Sequence, residues 1–86
     1  MPKILLHRNA AKFYRNAEEA LKGRISDAVD AIALNPRLDG HVKKLKGELK
    51  HLYRFRRGDL RLLYEIDDSE DIVWVKTIEY RGSAYK

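Results

Sequence analysis

Arginine recurs along this chain at intervals that suit contact with phosphate. Arg54, Arg56 and Arg61 lie in two strand-like runs, and Arg81 follows a third. A guanidinium is a planar fork of donors matched to phosphate oxygens, and its charge does not titrate in the physiological range. For an isolated arginine the commoner use is pairing with a nearby carboxylate, here Glu65 or Asp59. Three on one face repel one another unless an anion meets them. Phosphate contact is therefore the expectation for the set.

A second basic stretch, His41 to Lys50, supplies Lys43, Lys44, Lys46 and Lys50. Such runs are commonly solvated loops. In a polyanion-binding protein they add salt-sensitive affinity without choosing a site, and these four lysines are the expected RNA-binding set. The net charge of +5 on 86 residues is compatible with a phosphate polymer, an anionic surface or an acidic protein partner.

Other chemistries find little support. His7, His41 and His51 lack the spacing of a metal motif. Asp67, Asp68, Glu70 and Asp71 read as a solvated turn without calcium-loop spacing. There is no Gly-rich phosphate loop, nucleophile elbow or paired-carboxylate motif, so neither metal nor cofactor is expected. Trp74 is expected in or beside the core, with stacking on a base as the alternative. Tyr64 is core by its phase.

The elements that would position these residues follow from periodicity. Residues 3–6 are a short apolar run that suits a first strand. From Arg8 to Asn16 the pattern is helical, gathering Ala11, Phe13 and Tyr14 on one side. Asn16 with Glu19 three residues on resembles a capping box, opening a second helix on Leu21, Ile25, Ala28, Val29 and Ile32. Pro36 ends that helix near Leu34. Residues 37–50 read as polar and basic, with turns at Gly40 and Gly47. Strand-like runs follow at 51–56, 60–66 and 72–79, with Arg57-Gly58-Asp59 as a hairpin turn.

Helices followed by a strand meander indicate an α+β fold, with two N-terminal helices packed on one face of a small, mainly antiparallel sheet. Side chains alternate across a strand, which puts Tyr53 and Phe55 on one face and Arg54 and Arg56 on the other. By the same phase Arg61 joins the arginines, and Leu60, Leu62 and Tyr64 join the core.

Length allows one domain over residues 1–86, with a small core. The chain has no cysteine, so neither disulfides nor thiolate metal sites support that core. No apolar run approaches the ~20 residues that span a bilayer, and the N-terminal apolar stretch is too short for a secretory signal. A cytoplasmic protein without membrane contact is the expectation.

Lys44-Leu45-Lys46-Gly47, Tyr53-Arg54-Phe55-Arg56, Gly58-Asp59-Leu60-Arg61-Leu62-Leu63-Tyr64-Glu65-Ile66 and Tyr80-Arg81-Gly82-Ser83-Ala84-Tyr85 together resemble, in order, the RelE branch of the RelE/ParE toxins. The resemblance covers essentially the whole chain. It implies a toxin of a type II toxin–antitoxin pair, monomeric when free and held silent by a cognate antitoxin protein. RelE-type members cleave messenger RNA in the ribosomal A site without a metal. The 2′-hydroxyl attacks the adjacent phosphate, leaving a 2′,3′-cyclic phosphate and a 5′-hydroxyl.

Carried over, the resemblance assigns Arg54, Arg56, Arg61, Arg81 and Tyr85 to the catalytic site. Two departures matter. Some RelE enzymes have lysine where this chain has Arg54 and Arg56, and arginine is too persistently protonated to act as a base. Tyr80 stands where many relatives have histidine. Two further readings share the fold: a ParE-like inhibitor of DNA gyrase, and a catalytically silent module that binds RNA or protein.

Overall fold

The apolar residues at helical and strand spacing converge on one interface between two helices and one sheet. The computed structural model describes residues 1–37 and 40–81. In chain order the elements are β1 (Lys3–Leu6), α1 (Arg8–Asn16), α2 (Glu19–Leu34), β2 (Val42–Lys44), a 3-10 turn (Gly47–Leu49), β3 (Leu52–Arg57), β4 (Leu60–Asp67) and β5 (Ile72–Tyr80). The five strands form one sheet in the order β1-β5-β4-β3-β2. Only β1 and β5 run parallel; the other neighbours are antiparallel.

Helix α2 buries Ile25, Ala28 and Ile32, the stripe that its 3.6-residue period predicts. They meet Phe55, Leu60, Leu62, Tyr64, Val73 and Val75 from the sheet, all at most 1% exposed. Asn35 ends the helix with its N–H bonded to the Ala31 carbonyl (3.1 Å), and Pro36 follows. Helix α1 is tied to the sheet at its start. His7, its N-cap, donates its backbone N–H to Val75 O (2.8 Å), and its own carbonyl accepts from Ala11 N (2.8 Å).

Three details differ from the pattern read in sequence. Asn16 does not cap α2; it is the last residue of α1, and Ala17 caps that helix with its N–H on Tyr14 O. The N-cap of α2 is Glu18, which makes no side-chain cap bond. The two helices are too close in sequence for Asn16 to serve both.

The second difference lies in the basic segment. Val42–Lys44 is a strand paired to β3, not loop. One apolar residue in three is too short a run to show an alternation. The third is Trp74. Its neighbours Val73 and Val75 are fully buried, so strand alternation puts Trp74 on the opposite face.

The hairpin between β3 and β4 turns through Gly58 and Asp59. Gly58 has φ +60°, while Asp59 stays outside the positive-φ region, the pattern of a type II′ turn with glycine first. That turn locks the register in which Arg56 opposes Arg61.

Candidate functional site

Residues directly paired across strands share a face of the sheet, so the register maps the face opposite the helices. At the Gly58 end, Arg56, Arg61 and Glu79 lie side by side on β3, β4 and β5. The next row is Lys43, Arg54, Leu63 and Thr77. Beyond it come Leu52, Glu65, Trp74 and Leu5. The helix side takes the alternate residues, among them Tyr53, Phe55 and Arg57 of β3.

The structure therefore brings Arg54, Arg56 and Arg61 onto one face and adds Lys43 beside Arg54. Arg81 follows β5, its backbone N–H donating to the Asp59 carbonyl (3.2 Å). This bond extends the β4–β5 edge past Tyr80 and holds Arg81 at the same end of the sheet. Tyr85 lies outside the described residues.

Three other arginines, Arg24, Arg37 and Arg57, have side-chain partners. Arg24 donates to the Tyr80 hydroxyl (3.0 Å) and lies over its ring at 5.1 Å. Arg37 bonds both carboxylate oxygens of Asp68, at 2.8 and 3.0 Å, and this hydrogen-bonded pairing raises its pKa above the usual arginine value. Arg57 sits over the Phe55 ring at 5.3 Å. By contrast, Arg54, Arg56 and Arg61 make no ion pair among the described residues.

The expected partner Glu65 is taken by Lys76, 3.3 Å away. The ladder of β4 and β5 shifts register between Leu63 and Tyr64, and Lys76 sits in that irregularity. Arg54 also carries a buried Nε–H that has no acceptor among the described residues. A buried donor left unmet costs about 1–3 kcal/mol.

The expected lysines separate. Lys44 is on the helix side, with its ammonium 4.9 Å from the Tyr53 ring centre and donating to the Lys50 carbonyl. Lys46 precedes the 3-10 turn as its N-cap, and Lys50 follows it. Only Lys43 shares the arginine face by register.

Tyr64 is fully buried, its hydroxyl donating to Pro36 O at 2.6 Å, and Tyr53 stacks on it with ring centres 5.7 Å apart. An apolar groove of about 610 Å³ lies on the helix side, lined by Phe13, Ala17, Leu21 and Tyr80 among others. It is separated from the arginines by the sheet. Among the described residues no group of three or more His, Asp or Glu is placed to hold a metal, and no helix is long and apolar enough to cross a membrane.

Two helices over one face of a five-stranded mixed sheet make the fold of RelE/ParE-like structures. The family model described as the ParE toxin of the type II toxin–antitoxin system parDE matches residues 5–85, and the chain belongs to that family.

Solved structures agree in fold. The RelBE2 toxin–antitoxin complex from Mycobacterium tuberculosis is similar at 24% identity with a TM-score of 0.81, over 94% of this chain and 100% of that one. The intact E. coli RelBE complex gives 18% identity and 0.77, over 95% and 99%. The YoeB/ParE toxin from Agrobacterium tumefaciens gives 16% and 0.78, over 93% and 99%. No curated protein matches the sequence.

Proposed function

We propose that this toxin is a ribosome-dependent endoribonuclease that inhibits translation by cutting messenger RNA. The observation that carries the reading is the placement of Arg54, Arg56 and Arg61 in two adjacent rows of one sheet face, without ion pairs among the described residues.

Cleavage breaks the P–O5′ bond as the 2′-oxygen forms its bond to phosphorus. The 2′-hydroxyl proton goes to a base and the 5′-oxygen gains a proton, leaving a cyclic phosphate and a free 5′-hydroxyl. Arg61 and Arg56, with Arg81 at the same end, are suited to the non-bridging oxygens, where charge grows in the transition state. Arg54 and Lys43 are suited to an adjacent phosphate. None of the arginines serves as base. In the proposed mechanism Tyr85 orients the attacking group, and the ribosome contributes to proton transfer.

The same basic face suits acidic residues of a cognate antitoxin. Antitoxin complexes among the structural neighbours support that partner.

A second reading, inhibition of DNA gyrase, is favoured by the family description that the sequence matches. Parallel assays separate the two. The purified toxin is added to a reconstituted translation system, with cut sites mapped by primer extension, and to gyrase acting on plasmid DNA. A-site cuts with unaffected supercoiling support the ribonuclease. Intact message with arrested gyrase–DNA complexes overturns it.

A further inference from the structure

Trp74 is the only tryptophan in the chain, and the core does not use it. The core is built from Val73 and Val75 on either side of it, both 0% exposed, and Trp74 is absent from the packed cluster. By register it lies between Leu5 of β1 and Glu65 of β4, on the face that carries the arginines. His7 meets it edge-to-face, with ring centres 6.4 Å apart at 71°. The only carboxylate in direct register with it, Glu65, is paired to Lys76, which offsets the charge that would repel a phosphate.

A large, half-buried aromatic on a basic sheet face is how single-stranded nucleic acid is commonly gripped. Phosphates follow the positive charge and a base lies on the ring. Along β5, Trp74 stands five residues from Glu79, the neighbour of Arg61. At strand rise that is roughly 16 Å, a span that a few extended nucleotides cover. Leu63 and Thr77, small or apolar, occupy the row between, so that row carries no acidic side chain; Glu65 and Glu79 lie at its two ends.

We propose that Trp74 is a base-stacking platform, holding a base of the message a few nucleotides from the phosphate gripped by the arginines. The inference rests on the ribonuclease reading and extends it. It gives the sheet a second contact that fixes the register of the strand. A stack is tolerant of base identity, so the platform positions the message more than it selects sequence. His7 and Leu5 hold the indole in place.

The single tryptophan makes the test direct. The full-length toxin is titrated with a short single-stranded 2′-O-methyl oligoribonucleotide, which cannot be cleaved because its 2′-oxygens are blocked. Indole emission and the anisotropy of an end label are read together. The expected result is quenching that saturates along the same curve as the anisotropy. Trp74→Leu, which keeps an apolar side chain beside Leu5, should weaken binding on the order of tenfold or more, and Trp74→Phe should recover most of the loss.

Binding that leaves wild-type emission unchanged overturns the platform while the ribonuclease reading stands, and this readout needs no variant to fold. Absence of any binding at low salt, with no cutting of message in the translation assay, overturns both.

Discussion

Arg56 on β3 and Arg61 on β4 are direct cross-strand partners on the face away from the helices. Like charges in that position destabilise a sheet by roughly 0.2–1 kcal/mol. Their neighbour Arg57, one residue on, is instead settled over the Phe55 ring. The juxtaposition is a cost that a bound polyanion reverses. Arg56→Gln should therefore raise the urea midpoint slightly, more at low salt than at high because exposed charges are screened. Equal midpoints at low salt would contradict the charge argument.

The two faces of the sheet should differ in their salt dependence. Each lost phosphate contact lowers the slope of log affinity against log salt by about 0.7 for a single strand. Arg54→Ala and Lys43→Ala should each reduce the slope for a single-stranded RNA. Lys44→Ala should leave it unchanged, because that ammonium is held on the other side near Tyr53. Fluorescence anisotropy over a salt series is the measurement, and an equal effect of Lys43 and Lys44 would place both on the RNA path.

Tyr64 joins the sheet to the end of α2 through its bond to the Pro36 carbonyl. Tyr64→Phe keeps the ring and its stack on Tyr53 but leaves that carbonyl unmet. A loss of about 1 kcal/mol in unfolding free energy is expected, with catalytic rate unaltered at temperatures where the variant is folded. Chemical denaturation monitored by circular dichroism reads the first quantity.

The turn between β4 and β5 carries an acid-range dependence. Asp67 is held below the usual carboxylate pKa, first by the Ser69 hydroxyl and then by the backbone N–H of Glu70. A depressed folded-state pKa contributes stability that is present above the unfolded pKa and lost as pH falls through the folded value. Ser69→Ala should move the Asp67 titration upward, observed by carboxyl carbon NMR. A titration unchanged by that substitution would rule out the hydroxyl as the main cause.

Much of this architecture was legible in sequence because its signals are strong and local. Ile25, Ala28 and Ile32 fix one helical stripe, and Leu60, Leu62 and Tyr64 fix a strand phase that also sends Arg61 outward. Gly58 marks the hairpin. What escaped were elements defined by their partners. Val42–Lys44 is a strand because β3 offers it a ladder, and the parallel pairing of β1 with β5 is tertiary in origin.

Of the two places expected for Trp74, the core is excluded because Val73 and Val75 already hold that side, as the strand alternation requires. The separation of Lys43 from Lys44 depends on knowing that the segment is a strand. The expected role of Tyr85 falls outside the described residues.

The central claim, that the arginine face acts on a phosphate in the message, is tested most directly at Arg61. The measurement is the single-turnover rate of A-site cutting on programmed ribosomes by the wild type and by Arg61→Ala, with folding of both confirmed. Loss of one donor to the charged transition state should slow the cut on the order of 100- to 1,000-fold. A folded Arg61→Ala toxin that cuts the message at the wild-type rate would contradict the account.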